Sequence, residues 1–223
     1  MKISIIIPVL NEADSINGLL GSLSALRAAG HEVLVVDGGS TDETRLLARP
    51  FCDRLIVSSR GRAAQMNAGA SEATGDMLWF LHADSRLSAN VLDAVPGLFK
   101  ERAWGRFDLC LSGGKRAYRV IERMINLRSR ITGIATGDQA IFVDRNLFWD
   151  AGGYPDIPLM EDVALSSGLR KKMRPVIVPH RVETSSRRWE QNGLLQTVLL
   201  MWKLRLQYFL GADPSLLAGK YYN

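Results

Sequence analysis

Ile3-Ser4-Ile5-Ile6-Ile7-Pro8-Val9 is β-branched and almost continuously apolar, the pattern of a strand covered on both faces, as parallel strands are. Three comparable runs follow at 32–37 (EVLVVD), 54–58 and 76–81 (DMLWFL). Helical spacing separates them. Ile16, Leu19, Leu20, Leu23 and Leu26 recur with the period of one helix face, behind Asn11 as predicted N-cap and Asp14 in the first turn, with Gly30 as the stop. Further helices are expected from the Gly38–Asp42 turn to about Arg49 and over 62–73. Strands alternating with helices require right-handed crossovers, so the chain should build a mostly parallel sheet with helices on both faces.

The later chain is less regular. It predicts helices over 91–102, 117–131, 161–170 and 194–210, and strands over 106–111, 140–144 and 176–178. No repeat, linker or low-complexity stretch divides the 223 residues, a length that suits one large domain. We read it as a nucleotide-binding half (1–111), an acceptor and catalytic half (112–190), and an apolar C-terminal helix and tail (191–223). Lys and Arg exceed Asp and Glu by 28 to 23, a net +5, which suits anionic partners such as nucleotides or phospholipids. No dense basic tract with interleaved aromatics is present, so no nucleic-acid partner is expected. Cys52 and Cys110 form no zinc or CxxC pattern and read as buried hydrophobes of a reducing compartment. The N-terminus lacks the features of a signal peptide, and no stretch reaches the ~20 apolar residues of a membrane span. These features predict a cytoplasmic protein, with peripheral contact at the inner face of a membrane through two helices. Arg116, Arg119, Arg123 and Arg130 share one face of 117–131. Trp202, Tyr208 and Phe209 lie on 194–210, where Gln196, Lys203 and Gln207 form a narrow polar stripe with Arg205 nearly opposite. Homodimer packing is the other use for that helix.

In an open parallel sheet, ligands bind beyond the carboxyl ends of the strands. Those exits here are Pro8, Asn11 and Glu12; Asp37, Gly38, Gly39 and Ser40; Arg60, Gly61 and Arg62; and His82, Ala83 and Asp84. Polar residues at one exit can be simple caps, but four polar exits on one edge point to a nucleotide site. Carboxylates repel phosphates; they can accept from ribose or a base, or hold a metal that bridges the phosphates. Neither G-x-G-x-x-G nor G-x-x-x-x-G-K-[ST] is present, which counts against a dinucleotide oxidoreductase and a P-loop NTPase.

Taken in order, Ile5–Glu12 (IIIPVLNE), Val35–Asp42 (VVDGGSTD), Phe80–Asp84 (FLHAD), Gly137-Asp138-Gln139, Glu161-Asp162 and Arg187-Arg188-Trp189 resemble the family 2 glycosyltransferases of the GT-A fold. The resemblance implies that Asp37 accepts from the base, and that Pro8, Asn11 and Glu12 line base and ribose. Arg60 and Arg62 would lie near base or phosphates, and Gly39, Asn67, His82 and Ala83 would complete the donor site. Asp84, the last residue of an Asp-x-Asp motif, would hold Mg²⁺ or Mn²⁺, and Asp162, with Glu161 beside it, would be the general base. Gly137, Asp138, Gln139, Arg188 and Trp189 would position donor sugar or acceptor. Two departures stand out: His82 replaces the first Asp of Asp-x-Asp, and Ser185 replaces the Gln of Gln-x-x-Arg-Trp, a motif of polymerising synthases. His180 is a further candidate metal ligand.

The expected activity is therefore metal-dependent, inverting transfer of one sugar from a nucleotide-sugar, UDP-sugars favoured, to an unidentified acceptor hydroxyl, for which a lipid-linked carrier is compatible. The alternatives are a nucleotidyltransferase on a similar sheet and an inactive nucleotide-binding module. Each residue also has a plainer reading: Asp37 and Asp84 as turn or cap residues, His82 as a buried hydrogen-bonded imidazole, Asp162 as a first-turn carboxylate, and Trp189 as packing.

Overall fold

A computed structural model describes residues 1–98, 102–187, 190 and 193–222. Its strands are β1 (Ile3–Val9), β2 (Glu32–Asp37), β3 (Arg54–Val57), β4 (Met77–Phe80), β5 (Arg86–Leu87), β6 (Trp104–Leu111), β7 (Phe142–Asp144) and β8 (Val176–Thr184). They form an eight-stranded sheet of order β3-β2-β1-β4-β7-β6-β8-β5. The four strands of the first half pair in parallel, as their apolar runs predict. Beyond them the sheet is mixed. β7 is antiparallel to both β4 and β6, β8 is parallel to β6, and β5 is antiparallel to β8. Because β7 reverses twice, β6 and β8 run with β1 and β4, and all their carboxyl ends open on the same edge. β7 starts from that edge, so the 3-10 turn Gly137–Gln139 just before it lies there too.

The helices are α1 (Ala13–Ser22), α2 (Ser24–Ala28), α3 (Thr44–Ala48), α4 (Arg62–Glu72), α5 (Ala89–Leu98), α6 (Arg116–Thr132), α7 (Arg145–Asp150), α8 (Glu161–Lys172), α9 (Leu194–Phe209) and α10 (Pro214–Tyr222). The first predicted helix is broken in two. Ser22 Oγ donates to the Leu19 carbonyl at 2.7 Å, a local bond that competes with the helical ladder. The residue before α1 is Glu12, and Asn11 sits in the left-handed region at φ 54°.

Alternation along the strands divides the core between the two faces. Ile3, Ile5, Ile7 and Val9 pack with Ile16, Leu19, Leu20, Leu23 and Leu26 of the α1–α2 segment and with Val91 and Val95 of α5. Ile6, Leu34 and Val36 face Ala63, Met66 and Ala70 of α4, Leu147 and Phe148 of α7, and Leu165 and Leu169 of α8. Gly69 permits the close seating of α4: a Cβ there would lie 2.5 Å from Ile6 Cγ2. A third cluster joins Leu204 of α9 and Leu217 of α10 to Ile134, Met160 and Val163. A fourth packs Tyr118 and Ile121 of α6 on Leu109 and Leu111. Cys52 and Cys110 are free and half-buried.

Candidate active site

The exits of β1 and β2 are knitted together by short polar side chains. The Asn11 N–H donates to Ser40 Oγ (2.9 Å) and the Thr41 N–H to Asn11 Oδ1 (2.9 Å). The Glu12 N–H donates to Thr44 Oγ1 at 2.7 Å. Asp37 accepts from the Gly39 and Ser40 N–H groups at 3.2 and 3.0 Å, has Arg45 Nε at 3.8 Å, and is fully buried. In this arrangement the Asp37 carboxylate holds the Gly39–Ser40 turn. From α4, Gln65 donates 2.8 Å bonds to both the Val9 and Val36 carbonyls, tying that helix to the same edge. Sequence reasoning missed Gln65, a buried polar position on an otherwise alanine-rich helix face.

At the β4 exit, Ala83 packs into the core, so only its backbone is available to a ligand. His82 and Asp84 are half-buried. The His82 imidazole lies against Gly137: a Cβ on that glycine would be 2.6 Å from His82 Nε2. The Gly137 N–H in turn donates to Asp162 Oδ2 at 2.7 Å. The β4 exit, the turn before β7 and the start of α8 therefore meet at one point. Left-handed backbone at non-glycine residues is confined, among the described residues, to Asn11, Ala140 and Met160. These flank the β1 exit, the Gly137–Gln139 turn and the α8 N-terminus, and strain of this kind collects at functional sites.

Electrostatics sets the protonation of this centre. Burial, then the neighbouring Arg62 cation, pushes the His82 pKa down against the pull of Asp84 and Asp138, leaving a neutral imidazole. Burial, then the Asp162 charge, pushes the Glu161 carboxyl up to about 7, with Arg62 opposing. Burial also raises Asp162, opposed by the Gly137 hydrogen bond and by Arg205, with Asp138 adding to the rise. Both carboxylates sit in the first turn of α8, where unpaired N–H groups and the helix dipole favour negative charge. Asp138 is half-buried and makes no hydrogen bond or ion pair among the described residues. Arg128 of α6 and Arg205 of α9, neither expected as a site residue, both feel Asp138 and Asp162. The signal for Arg205 was its place alone opposite the polar stripe of its helix.

Several candidates belong elsewhere. Both ends of the Asn67 amide are bound to the Tyr154 backbone, at 2.7 Å to the carbonyl and 3.0 Å from the N–H, so Asn67 clamps a loop. Gln139 is fully buried and forms a capping box with Thr136. His180 lies inside β8, between the Phe107↔Val178 and Asp108↔Arg181 register pairs. Pro179, which lacks an N–H, explains the bulge there. The Arg86↔Glu183 register puts Asp84 level with Ser185, five residues along β8 from His180 and about 16 Å away at strand rise. His180 is thereby corrected as a metal ligand. Arg60 is exposed and unpartnered among the described residues. Arg188 and Trp189 lie outside the described residues. Asp84 lines a cleft of ≈ 200 Å³ with Asp14, Ser85, Glu183, Ser185 and Arg187. Among the described residues no three His, Cys, Asp or Glu side chains gather as a closed metal site. The Asp84 carboxylate, open to that cleft, nevertheless fits a hard cation that takes one protein oxygen ligand and its remaining oxygens from substrate phosphates and water.

Residues 4–149 match Glycosyl transferase family 2. A "PGL/p-HBAD biosynthesis glycosyltransferase" of Mycobacterium bovis is 42% identical over 106 residues, 44% of this chain and 41% of that protein. The match thus spans about two fifths of that relative's length. A mannosyltransferase from Pyrobaculum calidifontis, solved with GDP-Man and Mn²⁺, superposes with TM-score 0.62 at 24% identity, over 82% of this chain and 56% of that one. TarS 1-349 of S. aureus with UDP-GlcNAc gives 0.63 at 21% identity, over 83% and 58%. At these identities, the solved structures establish a shared α/β fold.

Proposed function

Since the chain belongs to glycosyl transferase family 2, we propose that it transfers one sugar, with inversion, from a nucleotide-sugar to an acceptor hydroxyl, using Mg²⁺ or Mn²⁺. The observation that carries this reading is the Asp162 carboxylate, held by the Gly137 N–H at the head of α8 and facing the edge where the strands of the nucleotide half end. Asp162 takes the proton of the acceptor hydroxyl as its oxygen attacks the anomeric carbon opposite the diphosphate. Burial raises its pKa, which strengthens it as a base, while the Gly137 N–H and Arg205 favour its anion. Glu161, next in the turn, shares the site's charge without reaching solvent. The donor's base and ribose lie over Pro8, Asn11 and the Gly39–Ser40 turn that Asp37 holds, and Arg62 faces the phosphates. Asp84 would hold the metal, which would supply positive charge at the departing diphosphate. Solved neighbours bound to GDP-Man with Mn²⁺ and to UDP-GlcNAc support a nucleotide-sugar donor and a divalent ion. Ser185, in place of the Gln of the synthase motif, favours a single transfer.

In this reading the protein also rests on a membrane surface. Val120, Met124, Leu127 and Ile131 form an exposed apolar stripe on α6, beside the exposed Arg116 and Arg123. Leu199, Trp202, Leu206 and Phe209 form another on α9. Apolar stripes flanked by arginine suit an anionic bilayer surface, and no described helix is long and apolar enough to cross one. We place the protein on the cytoplasmic side, the source of nucleotide-sugars. A second copy covering the same stripes is the other outcome, read by the molecular mass in solution.

The test is thermal denaturation with nucleoside diphosphates and nucleotide-sugars, each with Mn²⁺, Mg²⁺ or chelator. A ligand at about 100 times its Kd adds about 2.7 kcal/mol. The reading predicts a metal-dependent upward shift in Tm with UDP or GDP that disappears in Asp84→Ala. No shift with any nucleotide would remove it.

A further inference from the structure

Two arginines at the catalytic edge have a buried nitrogen without a partner among the described residues. Arg128 follows Ile121 and Ile125 at helical spacing and so continues the face that α6 turns to the protein. Arg205 follows Leu204, which is fully buried against the Met160–Val163 entrance to α8. Arg128 Nε and Arg205 Nη2 are each buried without a hydrogen-bond partner. Neither guanidinium forms an ion pair among the described residues. The contrast within the same helix is sharp: Arg119 and Arg130 of α6 are both paired, with Glu122 and Asp108. Buried polar atoms are almost always satisfied, and an orphan calls for an explanation such as an absent ligand.

The surroundings indicate which ligand. Asp138 and Asp162 act electrostatically on both arginines, yet among the described residues neither arginine closes onto them as an ion pair. His82 feels Arg62, Asp84 and Asp138, whereas Arg205 feels Asp162 and Asp138. The geometry agrees: Asn126, two residues before Arg128, meets Gln139 Nε2 at 3.4 Å, and Leu204, next to Arg205, packs on Met160 and Val163, so both helices reach the Gly137–Gln139 turn and the α8 entrance. Two guanidinium forks from different helices match the oxygens of one phosphate, which each can contact in bidentate fashion.

We propose that Arg128 and Arg205 form a phosphate subsite beside Asp162, and that the acceptor is an alcohol bearing a phosphate next to the hydroxyl that receives the sugar. The inference rests on Asp162 being the base of the transfer. The phosphate comes either from a soluble phosphorylated alcohol or from a lipid headgroup, and both present the same chemistry to the arginines.

The experiment is calorimetric titration of the full chain, with and without saturating UDP or GDP, using glycerol 3-phosphate and glycerol as probes. Titration with the soluble short-chain lipids dihexanoylphosphatidylglycerol and dihexanoylphosphatidylcholine, below their micelle concentrations, runs in parallel, so that bilayer contact through the apolar stripes of α6 and α9 does not enter. Arg128→Met, Arg205→Met and the charge-keeping Arg205→Lys are compared with the parent. We expect glycerol 3-phosphate or phosphatidylglycerol, and neither glycerol nor phosphatidylcholine, to bind. The Met variants should weaken that binding at least tenfold, Arg205→Lys should retain most of it, and nucleotide affinity should stay within twofold. Binding of glycerol 3-phosphate identifies a soluble acceptor, and binding confined to phosphatidylglycerol a lipid one. Equal binding by parent and Met variants, or no binding of either phosphate probe, overturns the subsite. A parallel loss of nucleotide affinity overturns it too, by assigning the arginines to the donor. Loss of nucleotide binding in the parent would instead defeat the transferase reading and leave the phosphate titration interpretable by itself.

Discussion

At the residue scale, Asp162 is subject to opposing forces. Burial and the Asp138 charge favour the protonated acid, while the Gly137 N–H and Arg205 favour the anion. The acid limb of kcat reports this carboxylate in the loaded enzyme, so it should lie above the ordinary carboxylate range. Asp138→Asn removes a charge that raises Asp162 and should move that limb to lower pH, measured from kcat across a pH series. An unmoved limb would mean that another group titrates. This residue scale is also where the sequence was hardest to read. Asp37 ends β2, Gln139 lies in the turn before β7 and Asn67 is in α4, all polar residues near the site edge, as a ligand contact would be. Whether such a side chain turns to a ligand or to a backbone N–H two residues away depends on loop geometry that residue spacing does not encode. Asp37 and Gln139 closed onto their own turns, and Asn67 onto a loop brought in from residue 154.

At the scale of elements, the entrance of α8 concentrates cost. Glu161 is buried with its carboxyl pushed up to about 7 from an ordinary 4.5. A group raised on folding stabilises most below its unfolded pKa, and that contribution is lost as pH rises through about 7. Glu161→Gln should therefore be the more stable protein at pH 8, by roughly 3 kcal/mol, and gain little at pH 4; denaturant melts at the two pH values decide it. The Gly137–Gln139 turn makes the opposite demand. Gly137→Ala would put a methyl 2.6 Å from His82 Nε2, forcing the β4 exit and the α8 entrance apart. Turnover should fall at least tenfold with a much smaller change in Tm, and an unimpaired Gly137→Ala enzyme would show that this contact is not part of the site. Elements with strong local pattern were legible: β1, β2, β4 and the helices between them follow from apolar periodicity alone. The β7 reversal and the two-residue β5 were not, because they depend on pairings between segments far apart in the chain. The full length of β8 was hidden by Pro179, which reads as a strand end and is accommodated by a bulge.

For the whole molecule, one sheet with a core on each face brings every strand exit named from the sequence to a single edge, and the later chain supplies the carboxylates and arginines opposite. The same α6 and α9 that carry Arg128 and Arg205 inward carry apolar stripes outward, with Leu127 58% and Ile131 76% exposed. Leu127→Glu with Ile131→Glu should abolish sedimentation with phosphatidylglycerol vesicles without lowering Tm by more than a degree or two; unchanged sedimentation would leave those stripes to another partner. The central claim is that this edge performs sugar transfer with Asp162 as base. It is tested most directly by comparing the parent with Asp162→Asn for release of nucleoside diphosphate from a nucleotide-sugar that both bind. The account predicts nucleotide affinity within twofold of the parent and a rate lowered about 10²- to 10⁴-fold. A variant that releases diphosphate at the parent's rate would contradict it.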